Sequence, residues 1–354
     1  MLKISISKRI FFILLCILVI FTGIEGSLRF YEFWYAPNCL LPKTDVFKNS
    51  DPFLTRQICL DARLLQFEFD GILKMKPNQY YETININSQG FRGDEFNQTK
   101  QEDVKRIFIL GSNAFGATAT SDKMTISGFL QKNLNEKSTL DYEVLNAGII
   151  QSDSFRNLYL IENQLLNLES NLLILYTGWI DSSQQRLNQT ITKQTSDNDQ
   201  FFKFKNFQFY RTPFVLKNLL VKDSPQDSNN ISLDLFQKNQ QVAINWKQNI
   251  DKICKLGQEN NFKTLIVIQP LSNSGKKVLT PFESKYIENE LTLDAYFKII
   301  EQMKYLNNCD KSIDLSNLFD EYQEPIFTSK GDTSDLGNQI IAERLYNEVI
   351  LLLE

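Results

Sequence analysis

Residues 107–116 read IFILGSNAFG: four apolar side chains run directly into Gly111, Ser112 and Asn113. A short run that is apolar at consecutive positions and stops at a turn is the pattern of a strand buried on both faces. Three further runs have the same character, 142–145 (YEVL), 172–176 (LLILY) and 264–268 (TLIVI). Between them the apolar residues change period. Ile126, Phe129, Leu130 and Leu134, and then Val242, Trp246, Ile250, Ile253 and Cys254, recur at helical spacing. Strands alternating with helices predict a three-layer α/β domain, a parallel sheet covered on both faces, with its functional loops at the C-terminal ends of the strands.

The 354-residue chain is 42% hydrophobic, 12% aromatic and 23% charged, a globular composition that can bury one sizeable core. Its formal net charge of -4 and pI near 5.3, with no Lys/Arg stripe, exclude a field suited to a polyphosphate backbone, so no nucleic-acid partner is expected. The chain contains no histidine. Imidazole is the one side chain whose ordinary pKa lies near neutrality, so a Ser-His-Asp relay cannot be built from these residues. Without histidine a metal site would need clustered cysteines or carboxylates. None is spaced for it, and neither metal nor cofactor is expected.

Lys3, Lys8 and Arg9 precede the charge-free, mostly apolar run 10–24, and Glu25 and Arg29 follow it. A span needs about 17 to 25 residues, and Ile4, Ile6 and Leu28 extend the run towards that length. No small-x-small cleavage site follows, and Cys16 is preceded by Leu15 rather than a small residue. These features favour an uncleaved signal anchor over a removed signal peptide. Positive charge ahead of the run places the N-terminus in the cytoplasm and the main domain outside. The expected organisation is a stub and anchor over 1–29, a lead-in over 30–85, and the α/β domain over 86–354 with an insertion at about 184–241. Phe30, Tyr31, Phe33, Trp34 and Tyr35 in the lead-in suit either a membrane interface or packing on the domain. In the insertion, Phe201, Phe202, Phe204, Phe207, Phe209 and Tyr210 suit either a small satellite core or stacking on sugar rings. Cys39, Cys59, Cys254 and Cys309 fall in the exported part and allow three pairings, of which Cys39 with Cys59 and Cys254 with Cys309 are the more local.

Four blocks in order carry a family resemblance. They are 107–116 with Ser121-Asp122 beyond, 144–148 (VLNAG), 173–181 (LILYTGWID) and 327–342 (FTSKGDTSDLGNQIIA). Together they resemble the SGNH or GDSL hydrolases, from about residue 85 to the C-terminus. The segment 87–93 (NSQGFRG) resembles the stretch that often precedes the first strand in anchored members. The resemblance implies a flavodoxin-like sheet whose members cleave or transfer acyl esters.

At the chemical positions the chain departs from the family pattern. With Ser121-Asp122 in register, Gly111, Ser112 and Asn113 stand where the family has Gly-Asp-Ser, so Asn113 holds the nucleophile position and has no ionisable hydroxyl. Sliding the block by one residue makes Ser112 the nucleophile instead. The resemblance gives Gly148 as a backbone oxyanion donor. Where the family has Gly-x-Asn-Asp the chain has Gly178, Trp179, Ile180 and Asp181, so Ile180 replaces the side-chain amide donor, a loss that typically costs about a hundred- to a thousandfold in rate. Gly337, Asn338, Ile341 and Ala342 fix the register of the closing helix, which puts Asp332 at the histidine position and Ser329 at the aspartate position. A second register pairs Asp332 with Asp335. Lys330 is the other nearby basic group.

Groups of one catalytic unit act non-additively, so losing nucleophile, base, orienting acid and amide donor together removes the chemistry. The expectation is a membrane-anchored, extracytoplasmic SGNH hydrolase-like protein without hydrolysis. It binds a glycan or ester ligand, or supports assembly of an envelope polysaccharide, with Ser112, Asn113, Gly148, Trp179 and Asp332 as candidate ligand contacts. Two other classes compete: a weak acyl-ester hydrolase or O-acyl transferase using Ser112, and a purely structural membrane partner. The protein partner is not indicated by the sequence.

Overall fold

All six residues of the strand Leu172–Thr177 are buried, as its unbroken apolar run requires. Its side chains feed two cores on opposite faces. Leu173 and Leu175 join Trp246, Ile250, Ile266 and Tyr296 on one side, while Leu172, Ile174 and Tyr176 join Ile126, Leu130, Ile341 and Leu345 on the other. This split follows from the two-residue period of a strand, and it makes three layers from one sheet.

The computed structural model describes residues 6–35, 45–48, 50–116, 120–183 and 233–354. In chain order the helices and strands are α1 (Ile6–Tyr35), α2 (Pro52–Leu64), β1 (Phe67–Asp70), β2 (Ile72–Met75), β3 (Gln79–Tyr80), β4 (Asn85–Ile86), β5 (Val104–Leu110) and α3 (Ile126–Lys137). There follow β6 (Asp141–Asn146), α4 (Ser154–Asn163), β7 (Leu172–Thr177), α5 (Trp179–Ser183), α6 (Leu233–Glu259), β8 (Lys263–Ile268), α7 (Glu290–Met303), β9 (Lys311–Asp314) and α8 (Asp335–Leu353).

Helix α1 belongs to one compact unit of the chain, and the elements from α2 onward to the other, Leu41–Gln185 with Ser232–Glu354. Within α1, Ile10–Leu28 is 19 residues of mean hydropathy 2.4, long and apolar enough to cross a membrane. The helix does not end at Glu25 or Arg29. It continues through the expected 1–29 boundary to Tyr35, so the aromatics 30–35 lie on its last turns.

The five-stranded sheet has the order β6-β5-β7-β8-β9 and every pairing is parallel. With β5 taken as the first strand of the domain this is the 2-1-3-4-5 arrangement of flavodoxin-like sheets. The four apolar runs are its strands β5 to β8. The fifth, β9, was not foreseen, because only Ile313 of its four residues is buried and an edge strand shows no apolar run. The segment 45–86 is more ordered than a lead-in. It carries α2 and two short hairpins, and its Ile58, Leu65, Met75, Ile84 and Ile86 pack with Phe115 of the domain.

Most of the expected insertion, with the aromatics 201–210, lies outside the described residues; Leu233 to Gln241 form the first turns of α6. A disulfide joins Cys254 of α6 to Cys309 just before β9. Cys59 is also disulfide-bonded, Cys16 is free, and Cys39 lies outside the described residues.

Candidate functional site

Strand order reverses at β5, which places the loops after β5 and β7 side by side at the switch point where such sheets collect their ligands. The chain can turn there only because residue 111 is glycine. Gly111 has φ +122°, and a Cβ on it would stand 1.9 Å from the Tyr176 carbonyl oxygen of β7. That close approach carries Asn113 over the sheet edge towards the loop that precedes α8.

Across 219 residues of sequence, Asn113 and Asp332 meet: the Asn113 Nδ2 donates to Asp332 Oδ1 at 2.9 Å. The second carboxylate oxygen is also taken, because Ser329 Oγ donates to Asp332 Oδ2 at 2.7 Å. Ser329 Oγ itself accepts the Asp332 backbone N–H at 3.0 Å, which commits its hydroxyl hydrogen to the carboxylate. The three residues thus form a chain in which the central group accepts from both neighbours. In a nucleophile relay the central group likewise accepts from the attacking group, but it donates a hydrogen of its own to the acid on the far side, which an acceptor-only carboxylate cannot do. Desolvation pushes the Asp332 carboxyl above its ordinary range, and the Ser329 hydroxyl opposes part of that shift.

Trp179 is brought to the same place. A Cβ on Gly331 would stand 3.0 Å from Trp179 Cε3, 3.1 Å from Asn113 Nδ2 and 2.9 Å from Gln269 Nε2, so one bare glycine lets all three side chains close on the backbone. The indole N–H donates to Glu288 Oε1 at 2.8 Å, and Lys330 Nζ donates to Glu288 Oε2 at 3.1 Å. Glu288 is buried and further held, its backbone N–H donating to Asn273 Oδ1 and its Oε2 accepting the Asn289 backbone N–H, so it fixes the ring. Lys330 is therefore tied to Glu288 and not to Asp332.

Other sequence candidates are placed differently. The Gly148 N–H, expected as an oxyanion donor, donates instead to Asn146 Oδ1 at 3.0 Å, while Asn146 Nδ2 donates to the Ala114 carbonyl at 2.9 Å. Asn146 uses both ends of its amide to stitch the β6 loop to the β5 loop. Ser112 Oγ accepts the Gln151 N–H at 2.8 Å. Gln151 has φ +60°, a left-handed backbone that nothing in its side chain foretells. Ile180 is buried on α5 beside Trp179. Asp335 does not pair with Asp332 but accepts from Thr120 Oγ1 at 2.7 Å, holding the far end of the β5 loop.

Asp181 is a scaffold residue. Its carboxylate accepts the Ser154 N–H at 2.9 Å and the Thr177 hydroxyl at 3.2 Å. Burial, reinforced by the charge of Asp153, pushes its pKa up to about 6 against those hydrogen bonds. A raised folded-state pKa means the native protein holds the proton more tightly than the unfolded chain. The associated stability is complete below the ordinary carboxylate pKa of about 4 and is lost as pH rises through about 6. Replacing Asp181 by Asn should therefore help more at pH 7.5 than at pH 4.5. The stability gap between variant and wild type should grow by on the order of 2 kcal/mol across that window, measured by denaturant unfolding. A gap that is flat with pH would show that Asp181 titrates normally.

No family model and no curated protein match the chain. Solved structures do. They include the acetyl xylan esterase AlAXEase, at 16% identity and TM-score 0.44 over 69% of this chain and 99% of that one. A GDSL-like lipase from Parabacteroides merdae is similar at 13% identity and TM-score 0.41, over 72% and 98%. The lipase/acylhydrolase from Enterococcus faecalis is similar at 12% and 0.42, over 69% and 95%. The five-strand parallel sheet with helices on both faces is a three-layer α/β fold with flavodoxin-like strand order.

Proposed function

We propose that this is a membrane-anchored, extracytoplasmic SGNH hydrolase-like protein whose strand-tip site no longer hydrolyses. On this reading it binds a glycan or ester ligand, or supports assembly of an envelope polysaccharide. The observation that carries the reading is the Asn113–Asp332–Ser329 chain. An amide occupies the position read as the attacking one, so the Asp332 oxygen that faces it is engaged by an N–H donor and meets no hydroxyl that could be activated there. Export is supported by the α1 span and by the Cys254–Cys309 bond, since disulfides persist in oxidising compartments.

Ser112 is the hydroxyl nearest in sequence. Its Oγ receives the Gln151 N–H, and among the described residues no carboxylate or amine side chain accepts its hydrogen. A fluorophosphonate probe, which captures activated serines covalently, is expected to leave the full-length protein unlabelled; labelling that maps to Ser112 would reverse the reading. Binding is tested separately. A sugar panel should raise the melting temperature for at least one ligand, because anything that binds the native state alone stabilises it. No shift for any sugar would favour a purely structural membrane partner.

A further inference from the structure

We propose that the outward face of α2 rests on the bilayer that α1 spans, with its apolar stripe at the boundary of headgroups and acyl chains. The inference rests on the membrane-anchored reading above and adds a second contact to it.

Helix α2 starts at Asp51, whose side chain accepts the Phe53 N–H at 2.9 Å, and carries a proline in its first turn. One face belongs to the domain. Thr55, Ile58, Cys59 and Asp61 are buried, and Ile58 packs with Met75, Ile84, Ile86 and Phe115. Asp61, the one carboxylate of the helix, is engaged there, accepting the Thr83 N–H at 2.7 Å and the Thr83 hydroxyl at 2.6 Å. A helix docked this way ordinarily turns charged side chains to water. Here the opposite stripe is residues 53, 57, 60 and 64, neighbours at helical spacing, and they read Phe, Gln, Leu and Leu. Phe53 is 83% exposed, more than any other large apolar side chain among the described residues, and Leu64 is 51% exposed.

An apolar side chain exposed singly needs no explanation, but a row of them does. Such residues also gather on this part of the domain, the part next in sequence to the span. Five large apolar side chains are exposed within 45–86, against eight in all the described residues from 87 to the C-terminus.

Lipid is the occupant that fits. Three side chains fall well short of the roughly 800 Å² per partner that a stable protein interface buries. A bilayer asks for no matching shape, and the span supplies proximity: α1 ends at Tyr35 and α2 begins at Pro52, so the connection reaches at most about 60 Å. A tether of that length keeps the stripe at high effective concentration over the surface. The stripe carries no carboxylate, and Arg56 and Arg63 fall on the positions along one edge of it, the pattern of helices that lie in the interface plane.

The test is spin-label depth measurement on the full chain in vesicles of phosphatidylcholine and phosphatidylglycerol, from collisions with oxygen and with a water-soluble nickel chelate. Three positions are labelled in turn: the native free thiol Cys16, Gln57→Cys in the stripe, and Leu351→Cys on the last turn of α8, the latter two with Cys16→Ser. Leu351 is 75% exposed and lies at the other end of the sheet from Phe115, near Glu354, which accepts the Tyr142 hydroxyl at the start of β6. The label at 57 should sit about 5–10 Å below the headgroup surface, and the label at 351 in water. Phe53→Asp with Leu64→Asp should return the label at 57 to water, and because both residues are exposed this variant should keep the wild-type melting temperature. A label at 57 in water while Cys16 is in lipid would overturn the inference and leave the anchor standing. Cys16 in water would overturn both. Spin–spin broadening at 57 would put a second copy on the stripe and overturn the lipid assignment, as would a depth at 57 unmoved by the two aspartates.

Discussion

If the proposed function is right, installing a serine, an aspartate, a histidine and an asparagine at the four degenerate positions is expected to produce an esterase. The variant Asn113→Ser, Ser329→Asp, Asp332→His and Ile180→Asn should hydrolyse p-nitrophenyl acetate about 100-fold faster than the wild type, on the scale of restoring an oxyanion donor and a triad to a preformed site. The reason is geometric. Asn113, Asp332 and Ser329 already stand at hydrogen-bond distances of 2.9 and 2.7 Å, in the order that the proposed function reads as nucleophile, base and acid positions, so on that reading only the side-chain chemistry has to change. Asn113→Ser alone should stay at the wild-type rate. Its new hydroxyl would face a carboxylate whose other oxygen is bound by Ser329, with no imidazole to take the proton and hand it on to the leaving group. An inactive quadruple variant that folds would show that the three positions do not superpose on a productive relay.

Replacing Arg92 by Met is expected to destabilise the domain by about 3–5 kcal/mol, the usual result of removing one partner from a buried ion pair. Arg92 is 3% exposed, and its guanidinium makes four bonds: Nε to Asp122 Oδ1 at 2.8 Å, Nη1 to the Phe115 and Gly116 carbonyls at 2.6 and 2.8 Å, and Nη2 to the Thr120 carbonyl at 2.7 Å. It also lies over the Phe115 ring, 5.1 Å from the centroid. These contacts fasten both ends of the loop that presents Asn113. Arg92→Lys should fall between wild type and Met, since an ammonium keeps the charge but cannot reach several acceptors in a planar fork. Urea unfolding measures both, and a Met variant within 1 kcal/mol of the wild type would contradict this role.

Four strands and the class of the sheet could be read in the sequence because strands buried on both faces leave short apolar runs, and these alternate with segments of helical period. Edge strand β9 could not, having one buried residue. In the site, block registers located Asn113, Asp332 and Ser329, since each block keeps its glycines where the backbone needs them. What the blocks could not show is where hydrogen bonds go. The engagement of the Gly148 amide depends on a side chain two residues away, and the Trp179–Glu288 bond links residues 109 apart. Arg92 was visible within NSQGFRG as part of a pattern, but its grip on residues 115–122 exists only once the chain has folded.

The catalytic inertness proposed for the Asn113–Asp332–Ser329 chain is tested most directly by steady-state hydrolysis of p-nitrophenyl acetate. The full-length protein and its Ser112→Ala, Asn113→Ala double variant should turn over at the same rate, within about twofold. A wild-type rate about tenfold or more above the double variant would mean that a working nucleophile survives at the strand tips, and would contradict the account.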